Sequence, residues 1–126
     1  MSNQWSYKVI DEKSDNDDLI VRLNALKKQI HENAVEHGWW EGGREDGTCI
    51  ALMHSELSEA LEALRVEENT PDKHCPEFPA VAVELADCII RILDFAEQRN
   101  LPVVEAIIAK HKVNKDRPYK HGGKRF

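Results

Sequence analysis

The chain has 126 residues, of which 41% are hydrophobic and 32% charged, with six Gly and five Pro. This composition excludes collagen-like and low-complexity chains and is typical of one soluble globular domain. The formal net charge of −6 argues against a nucleic-acid partner. No segment approaches the roughly 20 apolar residues of a membrane span, and the three cysteines form no CxxC pair. We therefore expect a cytoplasmic protein without a membrane partner or a disulfide framework.

Apolar residues recur at helical spacing in four stretches, and no stretch alternates with a period of two, which predicts a single all-α domain over residues 1–126. An irregular arm is predicted at 1–16 and a basic tail at 116–126. Between them we expect helices over 17–37, 48–66, 80–99 and 103–115, with Gly38 ending the first helix and Thr48 capping the second.

The helical patterns also predict which side chains are buried. The second helix is expected to bury five apolar residues: Ile50, Met53, Leu57, Leu61 and Leu64. The third helix is apolar on almost every side, as expected for a helix in the middle of a bundle. Because a protomer this small can hardly enclose such a helix, we expect part of its surface to be covered by another copy of the chain.

Two pairs of acidic residues indicate a metal site. Glu56 and Glu59 lie three residues apart on the second helix, and Glu84 and Asp87 repeat that spacing on the third. Four carboxylates brought together repel one another unless hard cations bind them, and Mg²⁺ is the natural choice, with Mn²⁺ as a possible substitute. The alternative is that each pair lies on a solvated helix face. A di-iron site is disfavoured, because no Glu in the chain has a His three residues later.

The C-terminal segment contrasts with the acidic body. Residues 110–126 carry a charge of +6, whereas residues 1–109 carry −12. Lys110, Asn114 and Arg117 lie on one helical face and, with the following Tyr119, could hold phosphate groups. A solubilising basic tail is the alternative. Trp39 and Trp40, in a glycine-rich loop at 38–47, could stack on a nucleobase or serve as packing residues.

These motifs resemble those of the MazG-like all-α nucleoside triphosphate pyrophosphohydrolases. The resemblance rests on the acidic motifs SELSEA at 55–60 and ELAD at 84–87, together with the closing stretch KHKVNKDRPY at 110–119. It covers about residues 19–119. It implies a four-helix, bundle-like protomer that assembles as a dimer or a dimer of dimers around Mg²⁺-dependent sites.

The resemblance also assigns roles to individual residues. It implies that Glu56, Glu59, Glu84 and Asp87 are metal ligands. Glu56, which opens the first motif, is our choice of base for the attacking water. The resemblance further implies that the substrate is held by six residues: Lys110, Asn114, Arg117, Tyr119, Trp39 and Trp40.

The expected activity is hydrolysis of a (deoxy)nucleoside triphosphate to the monophosphate and pyrophosphate, in the house-cleaning of nucleotide pools. The alternative is a non-catalytic helical interaction protein that uses its basic tail on acidic partners. Neither base nor sugar preference can be predicted from these motifs, because the base pocket is expected in loops and at a subunit boundary.

Overall fold

A computed structural model describes residues 12–66 and 69–119 of the chain. Over these residues the structure has four helices and no strand, which confirms the predicted all-α class. In chain order the helices are α1 (Glu12–Glu36), α2 (Asp46–Val66), α3 (Ala80–Gln98) and α4 (Val103–Lys115). None of them combines the length and the apolar character that crossing a membrane requires.

Helix α1 begins earlier than predicted and ends close to the predicted place. Residues 12–16 are helical, so the irregular arm predicted over 1–16 is wrong for them; residues 1–11 lie outside the described part of the chain. At its C-terminus, Gly38 has a φ of 79°. The Trp39 N–H donates to Ala34 O and the Gly38 N–H to Val35 O, a Schellman motif that ends the helix. This turn fixes the positions of Trp39 and Trp40.

Helix α2 begins two residues before the predicted cap, so the prediction of Thr48 as N-cap is wrong. The Cys49 N–H already donates to Glu45 O, and Asp46 in the first turn suits the helix dipole. The described part of the predicted linker over 67–79 is not helical and contains an isolated bridge between Pro71 and Pro79.

The buried face of α2 also differs from the predicted one. Its buried residues are Cys49, Met53, Glu56 and Ala60. Of the five apolar residues predicted to be buried, only Met53 is; the other four are exposed: Ile50, Leu57, Leu61 and Leu64. The reason is that α2 packs against α3 with the face that carries its buried residues, and the Cys88 thiol of α3 lies 3.5 Å from Met53 O.

Helix α3 buries Cys88, Leu93, Asp94 and Ala96 but leaves apolar side chains exposed, so the described part of one chain does not enclose it. Its end is a second Schellman motif, in which the Leu101 N–H donates to Ala96 O and the Asn100 N–H to Glu97 O. Asn100 takes the left-handed conformation, with a φ of 53°. The third helix, predicted over 80–99, therefore ends at Gln98, one residue earlier than predicted.

The chain divides into two compact units. One contains α1 as far as Leu26 together with α4, and the other is Lys27–Leu101. Within the first unit, Asn24 Nδ2 donates to Glu105 Oε1 over 2.5 Å and so links α1 to α4. Within the second unit, Lys27 Nζ donates to Leu101 O over 3.0 Å. The carboxylates of both acidic motifs belong to this second unit.

Candidate metal centre

The packing of α2 against α3 brings three of the four predicted acidic residues together. Oxygen atoms of Glu56, Glu84 and Asp87 all lie within 4.8 Å of one another, and we call these residues the carboxylate cluster. The spacing explains this arrangement, because residues three apart on α3 share the face that meets α2. Glu56 is only 7% exposed, so this carboxylate does not lie on a solvated helix face.

Glu59, the fourth predicted ligand, is exposed and is not one of these three residues. It nevertheless interacts with Glu56 and Glu84. The hydrogen bonding and charge of the neighbouring Glu56 raise the pKa of Glu59.

Arg91 supplies the positive charge nearest to the buried carboxylate. It follows Asp87 by one helical turn, and its Nε donates to Glu56 Oε1 over 2.7 Å. Burial acts to raise the pKa of Glu56, but the hydrogen bonds from Arg91 and Glu59 outweigh it and leave that pKa below its ordinary value. Glu56 is therefore the member of the cluster that stays ionised most readily.

The two carboxyls on α3 behave in the opposite way. Burial, together with the neighbouring charge of Glu59, raises the pKa of Glu84 to about 7. Burial and the charge of Glu56 raise the pKa of Asp87. Crowded, partly buried carboxylates favour the protonated form because each opposes the ionisation of the next. The cluster thus holds uncompensated negative charge whenever it is fully ionised.

A further carboxylate, Asp72, was not predicted to belong to this region. It is buried, and its Oδ2 accepts the N–H groups of His74 and Cys75 over 2.8 and 2.9 Å. These two hydrogen bonds hold the pKa of Asp72 below its usual range. Its charge also contributes to the raised pKa of Asp87. An Asp directly after a Pro is a common turn signal, but nothing in that signal indicates proximity to α3.

Beside the carboxylate cluster, Trp40 takes part in a second polar group. The Trp40 Nε1–H donates to both oxygens of Asp94, over 3.0 and 3.2 Å, and His31 Nδ1 lies 2.8 Å from Asp94 Oδ1. The His31 and Trp40 rings meet edge to face at 5.9 Å. Sequence reasoning did not identify His31, because its partner is 63 residues away and no local pattern links them.

This second group forms one wall of a cleft within the Lys27–Leu101 unit. The residues that line the cleft come from the turn after α1 and from helices α2 and α3: Trp40, Arg44, Cys49, Leu52, Arg91, Asp94 and Phe95. The Arg44 guanidinium lies 5.8 Å from the centre of the Trp40 ring, and Arg91 lies at the same distance from Trp39. Both distances are within the range of cation–π attraction. Trp39 is half exposed.

The remaining predicted substrate-binding residues belong to the other unit. Lys110 and Asn114 lie on α4, and Arg117 and Tyr119 follow the end of that helix. All four are exposed. The basic tail predicted at 116–126 is described only as far as residue 119.

The cluster fits a hard divalent cation in its chemistry. An octahedral Mg²⁺ ion about 2.1 Å from its ligands holds their oxygens roughly 3.0 to 4.2 Å apart, so oxygens within 4.8 Å of one another reach that geometry by small side-chain rotations. Comparisons with protein-family models, with curated proteins and with solved structures found no match to this chain. What the site binds must therefore be inferred from its own residues.

Proposed function

We propose that this chain is a Mg²⁺-dependent nucleoside triphosphate pyrophosphohydrolase of the MazG-like kind. It would cleave a (deoxy)nucleoside triphosphate to the monophosphate and pyrophosphate. The observation that carries this proposal is the convergence of Glu56, Glu84 and Asp87 from two helices, within 4.8 Å of one another. Glu84 and Asp87 have raised pKa values, as expected for carboxylates that are crowded together at a functional site.

In this proposal the carboxylate cluster binds the cation together with Glu59, which interacts with Glu56 and Glu84. Mg²⁺ is the expected ion, and Mn²⁺ would substitute for it because it also prefers oxygen ligands. The ion would supply charge neutralisation and activation of water at the phosphoryl group. Glu56 is the proposed base: it is ionised, and its carboxylate can accept the proton that the attacking water loses.

A triphosphate adds negative charge to a region that is already acidic, so the substrate needs cationic partners besides the metal. We assign this role to Lys110 and Arg117, with Asn114 and Tyr119 as hydrogen-bond donors to phosphate or sugar. All four side chains are exposed and so accessible to a substrate.

The nucleobase is assigned to the aromatic residues of the turn that follows α1. Trp39 presents an exposed ring, and the orientation of Trp40 is fixed by its hydrogen bonds to Asp94. A preoriented indole can stack on a base without losing much side-chain entropy on binding.

We further propose that the active form is a homodimer or a dimer of dimers. The faces of α2 and α3 expose apolar side chains that include Leu57, Leu61, Leu85 and Ile89. Apolar residues placed together on the surface of one chain mark a site that another chain covers.

The test is hydrolysis of a panel of common and damaged nucleoside triphosphates by purified protein, with and without Mg²⁺. We expect pyrophosphate and a monophosphate from at least one substrate, and none in the presence of EDTA. Reaction in ¹⁸O-labelled water identifies which phosphorus the water attacks. If no triphosphate yields pyrophosphate, the chain is instead a non-catalytic interaction protein, the alternative that its basic C-terminal segment suggests.

A further inference from the structure

Arg91 is the residue that connects the two parts of the candidate site. It lies on α3 four residues after Asp87 and seven after Glu84, on the same helical face. Its Nε donates to Glu56 Oε1 in the carboxylate cluster, while the same side chain lines the cleft that contains Trp40. One guanidinium therefore borders both the place proposed for the cation and the place proposed for the base.

Arg91 neutralises a carboxylate that a bound cation would also neutralise. Among the residues 12–66 and 69–119, it is the cationic side chain that forms an ion pair with the carboxylate cluster. It compensates a carboxylate that is 7% exposed and would otherwise be buried without a counter-charge. A divalent cation at the same carboxylate repels the guanidinium and removes the need for it.

Arg91 has a second neighbour besides Glu56. Its side chain is 25% exposed, so it is not locked in the protein interior. Its Cζ already lies 5.8 Å from the centre of the Trp39 ring while Nε is bound to Glu56, so the cation–π contact does not depend on that ion pair. A guanidinium can also bind two phosphate oxygens at once, which an ammonium group cannot do with the same geometry.

We infer that Arg91 is an exchangeable counter-cation: it neutralises Glu56 while no divalent cation is bound, and it leaves Glu56 to bind phosphate oxygens when cation and substrate are present. This inference rests on the proposed function, because it requires a cation and a phosphate chain at the carboxylate cluster. It adds a phosphate ligand on α3 to those predicted on and after α4.

The experiment measures the binding of two probes, Mg²⁺ alone and inorganic pyrophosphate with saturating Mg²⁺, by titration calorimetry. The pH is kept at least one unit above the pKa of Glu84. The variants are Arg91→Gln, which removes the charge, and Arg91→Lys, which keeps it. Arg99→Gln is the matched control, because Arg99 pairs with exposed Asp46 elsewhere in the same unit.

If Arg91 is exchangeable, Arg91→Gln binds Mg²⁺ roughly twofold to fivefold more tightly, the ratio that corresponds to one partly exposed charge interaction. The same variant binds pyrophosphate about tenfold more weakly. Arg91→Lys binds Mg²⁺ like the wild type but pyrophosphate more weakly. Arg99→Gln changes neither affinity. Opposite changes in the affinities for Mg²⁺ and for pyrophosphate are the result specific to this inference. Removal of a residue that only orients Glu56 would weaken the binding of both probes.

Several results would overturn the inference. Weaker or unchanged Mg²⁺ binding by folded Arg91→Gln would show that the guanidinium does not compete with the cation. Unchanged pyrophosphate binding by Arg91→Lys would show that Arg91 is not a phosphate ligand, even where Arg91→Gln fails to fold. If the wild type binds Mg²⁺ and cleaves triphosphates, either result contradicts the inference but leaves the proposed function intact. A wild type that binds no divalent cation contradicts both the inference and the proposed function.

Discussion

The Trp40 Nε1 atom lies 3.0 and 3.2 Å from the two carboxylate oxygens of Asp94. The turn after α1 is thus bound to a residue of α3 that lies 54 positions further along the chain. His31 binds the same carboxylate from α1. Asp94 is buried and thus orients two rings at the wall of the cleft.

Asp94→Asn tests how much these contacts stabilise the fold. The Asn amide has one acceptor oxygen, whereas the carboxylate has two. The hydrogen bonds to Trp40 and His31 are therefore lost or weakened. We expect the free energy of unfolding to fall by about 1–3 kcal/mol, measured by urea denaturation. Asp46→Asn is the control: its pair with Arg99 is exposed, and its loss should cost less than about 1 kcal/mol. Equal losses in the two variants would show that Asp94 gives no special stabilisation.

Several features of the fold and site were predictable because they depend on local sequence. The helix ends at Gly38 and Asn100 follow from residues that tolerate a positive φ. The meeting of Glu56 with Glu84 and Asp87 follows from i, i+3 pairs on neighbouring helices. The buried face of α2 could not be predicted, because apolar periodicity marks Leu57 and Leu61 without saying whether the same chain covers them.

Other features depend on contacts between distant residues. The contact of His31 with Asp94 and the pairing of Arg91 with Glu56 each join residues on different helices. The sequence places Asp94 and Arg91 on α3 but does not indicate which residues they contact. Such pairs are fixed by tertiary packing, which a single sequence does not encode in any local spacing.

The carboxylate assignment is tested by Asp87→Asn and Glu59→Gln. Each change removes a charge but keeps nearly the same volume, so the helices should remain intact by circular dichroism. We expect each to reduce Mg²⁺-dependent turnover by about 100-fold or more, because a lost ligand charge weakens cation binding and neutralisation of the phosphates. Glu62→Gln, at an exposed position further along α2, is the control. A variant with near-normal turnover would show that its residue is not an essential ligand.

Stability should depend on pH through Glu84. Its pKa is raised in the folded protein, from 4.5 to about 7, so its contribution is most favourable below pH 4.5 and is lost as the pH rises through 7. Asp87 and Glu59 act in the same direction, whereas Glu56 and Asp72, with lowered pKa values, act in the opposite direction at more acidic pH. Between pH 4.5 and 7, metal-free protein should therefore lose stability as the pH rises.

Glu84→Gln isolates this effect. With EDTA above pH 7, we expect the variant to exceed the wild type in stability by about 1–2 kcal/mol, a value reduced for solvent screening. The variant should also gain less melting temperature from Mg²⁺, because one ligand charge is missing. Glu62→Gln again serves as the control. If Glu84→Gln leaves both the metal-free melting temperature and the Mg²⁺ effect unchanged, Glu84 is a solvated carboxylate without a role in the cluster.

The last prediction concerns assembly. Leu61 on α2 and Ile89 on α3 are each 57% exposed. A charged side chain at either position would destabilise the protein only if another chain covers that position. We expect the wild type to sediment as a dimer or tetramer at low micromolar concentration. Leu61→Glu or Ile89→Glu should shift it toward monomer and lower its melting temperature, because stable interfaces of this kind are more apolar than ordinary surface. Val21→Glu, at a more exposed apolar residue on α1, should leave the assembly unchanged. A wild type that is a stable, active monomer would show that these faces are ordinary surface and that one chain forms a complete site.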